Sequence, residues 1–524
     1  MKKVTRILCL ILALVLVFAV TACKSAKDDP AVTGGATTKG NSSAATVAPT
    51  PSVPADISFM MAGDNTPGAD NIVLKELSKR MNMNISVIYV PTKDLSTKLS
   101  TMVASSTLPD IFPVDGNNSF EYKEAGLFAE VGDLLKEHAP NIMSNLGESL
   151  GKAPINEDGT YLVLNAKLPY ARQINLRTDW LKNLGLEMPT DLDSLYNVFY
   201  AFTYNDPDKD GKKDTFGLCA NSDPLSFATI FGAFGIPAQS TASSTVTARN
   251  IQLEDGTITT WAKHPKFLDA IEYIRKLNSK GLFEPDWATI PTMDMFGKLW
   301  NGVAGALEWE CVGPTNNWMP ARYTEKPVPT FDFPTIKGPD GTYGVPASYF
   351  SSLEGYVFNA KCKDLVSAVK FADYCMSVEG NELLYLGIKG TMFNWTDEAN
   401  GKYELLGEYK DSATHRASGG FVYWSFFAPT VNTETRTFNK QTQEGVVKAR
   451  AMGLPEATIR TPLKTRLQYG ADMDKIIKEM YAQLIVTKDD VKTVYAGFIK
   501  DWEKAGGTEW EKEATEIYKK ENAK

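Results

Sequence analysis

The sequence predicts an α/β fold with a helical C-terminal part. From Asp56 onward, short apolar segments of strand length alternate with longer stretches whose apolar residues recur at helical spacing. Strands that alternate with amphipathic helices form sheets with crossover helices. The chain has 524 residues, so about 470 remain after residues 1–55, and this length is enough for two or three domain-sized cores.

Residues 1–22 have the layout of a bacterial signal peptide. Basic residues precede an apolar run from Ile7 to Val20, which is shorter than the roughly 20 residues that a membrane-spanning helix needs. The run leads into Thr21-Ala22-Cys23, which resembles a lipobox. The resemblance implies cleavage before Cys23 and attachment of diacylglycerol to its sulfur. The alternative is an ordinary secretory signal followed by an incidental cysteine.

Residues 23–55 are predicted to form a lipid-anchored, disordered tether. After Cys23 they are rich in Ser, Thr, Ala, Gly and Pro and contain no large aromatic residue. Such a segment cannot bury a core, so it is expected to hold a folded body away from a membrane surface. We therefore expect the protein at the extracytoplasmic face of the cell membrane, held there by its lipid anchor.

The first elements of the folded body predict where a ligand binds. In order, they are the strand Ile57–Met61, the helix Val73–Met81, the strand Ile85–Val90, the helix Leu95–Ser105 and the segment Leu108–Phe112. The first strand leads into Asp64 and Asn65, and the last segment leads into Asp115. Ligands of open α/β sheets sit beyond the strand ends, so we predict that these three residues bind ligand.

The remainder of the body is richer in helices. The predicted elements are a helical segment from Asp179 to Phe202, the helix Phe267–Ser279, the short buried strand Gly302–Trp309, the helix Val366–Met376 and a mostly helical end from about Met473. The breaker Pro189 interrupts the first of these, and Thr190 and Ser194 are predicted to cap the helix that follows it.

The folded body is acidic. Removal of the signal peptide, which carries three basic residues, shifts the formal charge from −8 to −11. This balance argues against nucleic acid and against strongly polyanionic ligands. The cysteines of the body are not spaced like metal ligands, and we expect buried, unpaired thiols, with disulfide pairing as the alternative. They are Cys219, Cys311, Cys362 and Cys375.

The most specific local motif is the acidic loop from Asp206 to Asp214, with the sequence Asp-Pro-Asp-Lys-Asp-Gly-Lys-Lys-Asp. Oxygen ligands at alternate positions, with glycine at the sixth position for a sharp turn, are what calcium requires. We predict a structural calcium ion here, because crowded carboxylates repel one another without a cation. A solvated acidic turn is the alternative. The predicted ligands are Asp206, Asp208, Asp210, the backbone carbonyl of Lys212, and Asp214 directly or through water.

This loop departs from a complete EF-hand at its end. The twelfth position is Gly217, where an EF-hand has a bidentate glutamate. The remaining oxygens would therefore come from Thr215 or from elsewhere in the chain.

Aromatic residues flanked by polar ones suggest a carbohydrate ligand. The chain has 10 tryptophans and 21 tyrosines, and sugar faces stack on aromatic rings while sugar hydroxyls need polar partners. An aromatic residue taken alone is more often part of the core than a ligand contact, but a tryptophan flanked by polar residues fits poorly in a dry core, which favours ligand contact for these segments. Arg177 is a further candidate, by its placement at a strand end. The other residues predicted to bind ligand are Glu308, Trp309, Glu310, Trp318, Asn394, Trp395 and Trp424.

Glu308 and Glu310 also raise the alternative of a surface glycoside hydrolase. Residues i and i+2 of a strand face the same side, whereas glycoside hydrolysis needs two carboxylates on opposite sides of the bond. The sequence shows no nucleophile elbow, histidine zinc motif or phosphate loop. We therefore predict that the protein is not an enzyme.

Several segments in one order resemble a known family. They are Ser105–Ile111, Arg177–Leu186 with Pro189-Thr190, Asp206–Leu218, Lys337–Gly341, Gly387–Gly390 and the helical end. Behind a lipobox, they resemble the extracellular solute-binding protein family 1 (LplA-like lipoproteins). This family belongs to the type 2 periplasmic-binding-protein superfamily and supplies the substrate-binding components of ABC transporters. The resemblance covers nearly all of residues 56–524.

The resemblance implies two α/β lobes, each drawn from discontinuous segments, which are joined by hinge crossings and close on a ligand. The first lobe would comprise residues 56–170 and about 310–400. The second, helix-rich lobe would comprise 171–309 and about 401–524. The chain would act as a monomer that captures a carbohydrate, expected to be an oligosaccharide, and delivers it to the permease subunits of an ABC importer. A peptide or another solute is the alternative ligand.

The chain also resembles the alginate-oligosaccharide receptors, whose matching acidic loop holds calcium. Those receptors have an acidic residue immediately after the position of Asp214, where this sequence has Thr215.

Overall fold

A computed structural model describes residues 54–523 of the chain, apart from the following gaps: 64–66, 69–70, 92–93, 115–118, 151–153, 157, 165–171, 239–249, 311–322, 326, 347–354, 423–432, 439, 458 and 460. Among these described residues, none of the helices has both the length and the apolar character needed to cross a membrane. Cys23, the predicted signal peptide and the predicted tether up to residue 53 lie outside the described residues, whereas Ala55, predicted as the end of the tether, is the first residue of a strand.

The described strands and helices alternate through most of the chain. The strands are β1 (Ala55–Ala62), β2 (Met83–Val90), β3 (Ile111–Val114), β4 (Leu162–Leu164), β5 (Arg172–Arg177), β6 (Phe216–Cys219), β7 (Asn250–Gln252), β8 (Ile258–Thr260), β9 (Ala304–Glu310), β10 (Phe331–Asp332), β11 (Gly355–Phe358), β12 (Phe393–Asp397) and β13 (Lys402–Leu405).

The helices follow the same order. They are α1 (Ile72–Met81), α2 (Leu95–Ser105), α3 (Ser119–Glu124), α4 (Gly132–His138), α5 (Pro140–Leu150), α6 (Thr178–Leu184), α7 (Leu192–Tyr204), α8 (Ala228–Ala233), α9 (Phe267–Ser279), α10 (Thr292–Trp300), α11 (Leu365–Met376), α12 (Val378–Leu386), α13 (Ser412–Ala417), α14 (Thr433–Arg436), α15 (Lys440–Ala451), α16 (Lys464–Val486), α17 (Val491–Trp502) and α18 (Thr508–Asn522).

The first sheet has the strand order β2-β1-β3-β11-β4. Strands β1, β2 and β3 are parallel, whereas β11 is antiparallel to β3 and β4. Alternate residues of β1 enter different cores, because successive side chains of a strand point to opposite faces. Phe59 packs with α1 and Phe371 of α11, and Met60 packs with Leu99 of α2. Helices therefore cover both faces, as predicted for an α/β sheet.

The second sheet has the strand order β10-β5-β9-β6. Strand β9 is parallel to β6 and antiparallel to β5. One face of this sheet contributes Leu176 and Leu218 to the largest core cluster, and the other contributes Leu307 and Cys219 to a separate cluster under α10. Gly305 lets β9 approach α7 closely, because a Cβ atom at this position would lie 2.1 Å from the ring of Phe202.

The C-terminal helices pack on the second sheet's core. Helix α16 packs against α9, and its Tyr481 is fully buried among aromatic residues. A π-helical turn with Gly506 at φ 111° separates α17 from α18. The predicted helical end is confirmed, and it begins nine residues earlier than predicted, at Lys464.

Two predicted helices, α2 and α9, have the bounds that we expected. The capping of α7 differs from the prediction. Its N-cap is Asp191, whose side chain accepts a hydrogen bond from Ser194 N, and Ser194 Oγ in turn accepts one from the N-cap backbone. Asp191 is better placed than Thr190 because the helix starts at Leu192, so the carboxylate reaches the free N–H of the third helical residue.

Each sheet has its own hydrophobic core, so the described chain contains two α/β bodies built from discontinuous segments. The residue boundaries of the two lobes stay a prediction. Two segments lie differently from the predicted division: Phe331 pairs with Arg177 in the second sheet, and Val422 packs with the first core.

Three cysteines are unpaired in the described chain, as expected: Cys219 and Cys375 are buried and Cys362 is partly buried. Burial raises the pKa of the Cys362 thiol to about 12, so it is a weak nucleophile at neutral pH. Cys311 lies outside the described residues.

Candidate functional site

The parallel strands β1, β2 and β3 have their carboxyl ends at the same end of the first sheet, which we call the strand-end edge. Strand β3 ends at Val114, which pairs with Gly355 at the start of β11, and Gly355 also pairs with Leu164 at the end of β4. From Leu164 the chain passes through residues 165–171 to Arg172, the first residue of the second sheet. The predicted ligand residues Asp64, Asn65 and Asp115 follow β1 and β3 and lie outside the described residues.

In the second sheet, Arg172 at the start of β5 and Trp309 near the end of β9 lie at the end of the sheet where β9 ends, which we call the Arg172 edge. Strand β5 runs antiparallel to β9, so Arg172 pairs with Glu310 and Gln173 pairs with Trp309. The guanidinium carbon of Arg172 lies 4.0 Å from the centre of a Trp309 ring. Phe296 also packs edge-on to the indole of Trp309, with ring centroids 4.8 Å apart. The edge thus presents a partly exposed cation and indole.

Trp309 stays a candidate ligand residue, and its contact with Arg172 makes that arginine a further candidate, which the sequence pattern had not indicated. The alternation of polar and apolar residues from Arg172 to Arg177 could have identified a strand with Arg172 at one end. It could not have shown that this end of the strand lies beside Trp309. The side chain of Glu310 lies outside the described residues, as do Trp318 and Trp424.

Arg177 lies at the other end of β5, and its guanidinium is occupied within the protein. It is 2% exposed, stacks 4.3 Å above Trp180, and donates hydrogen bonds to Asp179 and Glu325. The bonds to Glu325 measure 2.6 and 2.9 Å. Each of its three nitrogens has a carboxylate partner. We therefore replace Arg177 by Arg172 as the candidate arginine for ligand binding.

Glu308 points into the core and not toward a ligand. It is 2% exposed, and its Oε1 accepts hydrogen bonds from Thr229 N at 3.1 Å and Thr229 Oγ1 at 2.8 Å. Burial raises the pKa of this carboxyl group to about 8, against the opposing effect of these hydrogen bonds. The prediction that Glu308 contacts ligand does not fit this position, because β9 alternates and turns Glu308 away from the face of Trp309.

Asn394 and Trp395 lie in the hairpin formed by β12 and β13, not at the end of either main sheet. Trp395 Nε1 donates to Glu382 at 2.8 Å, and the Arg436 guanidinium carbon is 5.1 Å from the indole. Among the described contacts, none joins this hairpin to Trp309. The described contacts therefore do not bring Trp395 and Trp309 together.

The acidic loop follows α7 and has the geometry of a small cation site. Carboxylate oxygens of Asp206, Asp208 and Asp210 all lie within 4.8 Å of one another. Asp206 accepts hydrogen bonds from Asp210 N and Gly211 N, both at 3.1 Å, which closes the turn. Gly211 has φ 81°, which favours glycine at the sixth position.

One carboxylate oxygen of this loop is available to coordinate a cation. Asp208 Oδ1 is buried and has no hydrogen-bond partner among the described residues. Burial and the neighbouring carboxylates Asp206 and Asp210 raise the pKa of Asp208. The donor set therefore fits a calcium ion, which prefers carboxylate oxygens. The Thr215 hydroxyl donates a hydrogen bond to Phe202 O at 2.8 Å.

A cavity of about 470 Å³ lies elsewhere, at the amino ends of β1 and β2. Ser58, Asn84 and Asp110 line it, and Asp110 Oδ2 accepts hydrogen bonds from Ser58 N and Oγ. This position is at the opposite end of the first sheet from Val114, so the cavity is separate from the strand-end edge.

The sequence is similar to two proteins of Bacillus subtilis strain 168. It is 31% identical over 281 residues to the polygalacturonan/rhamnogalacturonan-binding protein YtcQ, a match that covers 52% of this chain and 53% of that protein. It is 25% identical over 467 residues to the lipoprotein LipO, covering 85% of this chain and 88% of LipO. The chain thus spans about half of one relative and most of the other.

Solved structures share the fold. The substrate-binding protein FusA of S. pneumoniae, in complex with kestose, superimposes with a TM-score of 0.64 at 20% identity, covering 89% of this chain and 99% of FusA. An EF-hand mutant of FusA with fructo-nystose gives the same values. A human-milk-oligosaccharide (HMO) binding protein from Bifidobacterium longum infantis ATCC 15697 gives 0.68 at 18% identity, covering 89% and 99%.

The structural matches confirm the predicted two-lobe fold of the periplasmic binding proteins. The family model described as bacterial extracellular solute-binding protein matches residues 62–382, which is more than half of the chain. The chain belongs to the bacterial extracellular solute-binding protein family.

Proposed function

We propose that this protein captures a carbohydrate, in particular an oligosaccharide, outside the cytoplasm and delivers it to an ABC importer. The observation that carries the proposal is the strand-end pair Arg172 and Trp309. An indole stacks on the apolar face of a sugar ring, and a guanidinium donates to hydroxyl or carboxylate oxygens. Relatives and structural neighbours named for polygalacturonan, fructooligosaccharide and HMO binding support the sugar class.

The acidic net charge does not decide the charge of the ligand. YtcQ is named for polygalacturonan, whose repeating unit carries a carboxylate, and Arg172 provides a local cation at the proposed edge. A short uronic-acid oligosaccharide is therefore compatible with this edge, whereas a long polyanion would meet the acidic surface.

We further propose anchoring through lipid on Cys23, a monomeric state, the permease subunits of an ABC transporter as partners, and a calcium ion in the acidic loop. The matching lipoprotein LipO supports the anchor. Asp206, Asp208 and Asp210 would hold the ion, with the Lys212 carbonyl and Asp214 as further ligands. The FusA EF-hand mutant was solved with fructo-nystose bound, which supports a structural role for this loop rather than a role in ligand capture.

Glycan binding is tested by thermal unfolding of the folded part, residues 54–524, with a panel of glycans and peptides. The panel contains galacturonic acid oligomers of two to four residues, kestose, a milk tetrasaccharide and two peptides of similar size. A bound ligand at 100 times its Kd raises the free energy of unfolding by about 2.7 kcal/mol, a readily measured shift. An increase in Tm with a peptide and with none of the glycans would contradict the carbohydrate assignment.

We also propose that the protein releases its sugar unchanged. Glu308 is buried against Thr229 and cannot act as one of two opposed carboxylates at a glycosidic bond. Prolonged incubation with the glycan that binds, followed by chromatography, should show only starting material. Shorter products that disappear in Glu310→Gln would establish the hydrolase instead.

A further inference from the structure

Helix α7 carries a row of three tyrosines on its solvent-facing side. Tyr196, Tyr200 and Tyr204 are four residues apart, so they follow one another along one side of the helix. The ring centroids of Tyr196 and Tyr200 are 6.3 Å apart, and those of Tyr200 and Tyr204 are 4.8 Å apart. Tyr200 is 44% exposed and Tyr204 is 48% exposed, so a ligand in solution can reach both side chains.

Two lysines border this row. The Nζ atom of Lys276 in α9 lies 4.3 Å from the centre of the Tyr196 ring. At the other end of the row, Tyr204 Oη donates a hydrogen bond to the backbone O of Lys280 at 2.7 Å. Both lysines are exposed. We call the five residues the tyrosine strip: Tyr196, Tyr200, Tyr204, Lys276 and Lys280.

The tyrosine strip extends to the end of the second sheet opposite the Arg172 edge. Tyr204 ends α7, and Thr215, one residue before β6, donates a hydrogen bond to the last turn of α7. Phe216 at the start of β6 pairs with Ala304 at the start of β9, whereas the Arg172 edge lies where β9 ends. A ligand on this end of the strip would therefore leave the Arg172 edge free.

A row of aromatic rings beside ammonium groups suits one class of ligand. The apolar face of a sugar ring stacks on an aromatic ring. The two centroid separations are close to the length of one sugar unit, so consecutive units of an extended chain can each contact a tyrosine. Lysine ammonium groups attract carboxylates and donate hydrogen bonds to them.

The charge of the tyrosine strip is the opposite of the charge of the whole body. Its members include two lysines and no carboxylate, so it complements a chain that carries carboxylates. The acidic loop follows Tyr204, but the carboxylates of Asp206, Asp208 and Asp210 converge on one another. The strip is therefore a local surface on which an anionic sugar chain can lie, although the body as a whole is acidic.

We propose that the tyrosine strip is a surface binding site for an extended polysaccharide whose sugar units carry carboxylates. This site is separate from the Arg172 edge, and it goes beyond the proposed capture of an oligosaccharide. It holds the polymer against the receptor, so that oligosaccharides cleaved from the polymer are released close to the protein that captures them.

The tyrosines are tested by sedimentation of the full-length protein, purified in detergent, with beads that carry polygalacturonate. Tyr200→Ala with Tyr204→Ala removes the two exposed rings and should raise the protein concentration needed for half-maximal retention about tenfold. The Tm of the variant should stay close to that of the wild type, because alanine is a good helix former and both side chains are exposed. The increase in Tm caused by short glycans should also be unchanged.

The lysines are tested by a second variant, which also serves if the tyrosine variant does not fold. Lys276→Gln with Lys280→Gln should weaken retention about threefold, and the remaining binding should respond less to salt than that of the wild type. Beads that carry the same polymer after methyl esterification of its carboxylates should retain the wild-type protein as weakly. Tyr343→Ala is the matched control, because Tyr343 is 47% exposed and lies outside the strip, and it should behave as the wild type.

Weaker retention of the tyrosine variant at an unchanged Tm supports the proposal. A lower Tm with unchanged retention would show that the rings serve to stabilise α7 by stacking on one another, and would overturn it. Equal retention by the esterified polymer would overturn the anionic class of ligand. Sedimentation without beads that depends on Tyr200 and Tyr204 would indicate contact between copies of the chain and would also overturn the proposal.

The two proposals can fail separately. If short glycans raise the Tm of the wild-type protein but polygalacturonate beads do not retain it, the tyrosine strip is not a polysaccharide site and the proposed function stands. If the beads retain the protein through Tyr200 and Tyr204 but no short glycan raises its Tm, the strip is supported and the proposed capture of an oligosaccharide fails.

Discussion

Glu308 shows how one buried residue makes stability depend on pH. Burial raises the pKa of its carboxyl group to about 8 from an ordinary value of 4.5. A raised pKa means that the folded state binds the proton more tightly than the unfolded state. The stabilising contribution is therefore complete below about pH 4.5 and is lost as the pH rises through 8. One pKa unit corresponds to about 1.4 kcal/mol, so the loss is on the order of a few kcal/mol.

We predict that Glu308→Gln removes this pH dependence. Glutamine keeps an acceptor oxygen for Thr229 and does not ionise, so the variant should match the wild type at pH 5 and be more stable at pH 8. Urea unfolding at pH 5, 6.5 and 8 measures the difference, with the exposed Glu404→Gln as control. Parallel pH profiles for wild type and Glu308→Gln would show that Glu308 is ionised at all three values.

At the scale of elements, the acidic loop ties α7 to β6 within the second body. Asn183 of α6 donates to Pro207 O at 2.8 Å, and Thr215 donates to Phe202 O, so both ends of the loop are fixed to the fold. The carboxylates between them repel one another unless a cation is bound. Binding of calcium would therefore stabilise the second body without reaching the Arg172 edge.

We predict that chelation of calcium lowers the Tm by several degrees, because a loss of 1 kcal/mol shifts the Tm of a domain this size by about 2–4 °C. Asp208→Ala with Asp210→Ala should have the same effect and abolish the response to calcium. Glycan affinity of the folded fraction should stay within about twofold. Calorimetry with and without EDTA checks this, with Glu404→Gln as the control. An EDTA-insensitive Tm would favour the solvated turn.

At the scale of the whole molecule, two α/β bodies share one chain and the proposed anchor lies before both. Attachment through Cys23 would then be independent of the fold. We predict that Cys23→Ala moves the full-length protein from the membrane fraction to the medium, with unchanged Tm and glycan-dependent stabilisation. Cell fractionation measures the distribution, and Cys375→Ala is the matched control for loss of a thiol. Continued retention of Cys23→Ala in the membrane fraction would refute the lipid anchor.

Local sequence patterns determined much of this protein. The spacing of apolar residues predicted α2 and α9 to the residue, since an amphipathic helix depends on neighbours three and four positions apart. The acidic loop could also be identified from the sequence, because its carboxylates and its glycine lie within nine residues. The family resemblance followed from the order of such segments, and the matching family model confirmed it.

Only the tertiary structure decided which polar residues of β5 and β9 are buried and which lie at the proposed ligand edge. Arg172 and Arg177 stand at opposite ends of one strand, and Glu308 and Trp309 are neighbours on opposite faces. Their roles depend on the antiparallel pairing of two strands that are distant in the sequence, which sets both strand direction and face. No local pattern contains that pairing, because it forms only when the second sheet assembles and buries Glu308, Gln173 and Asn175 within it.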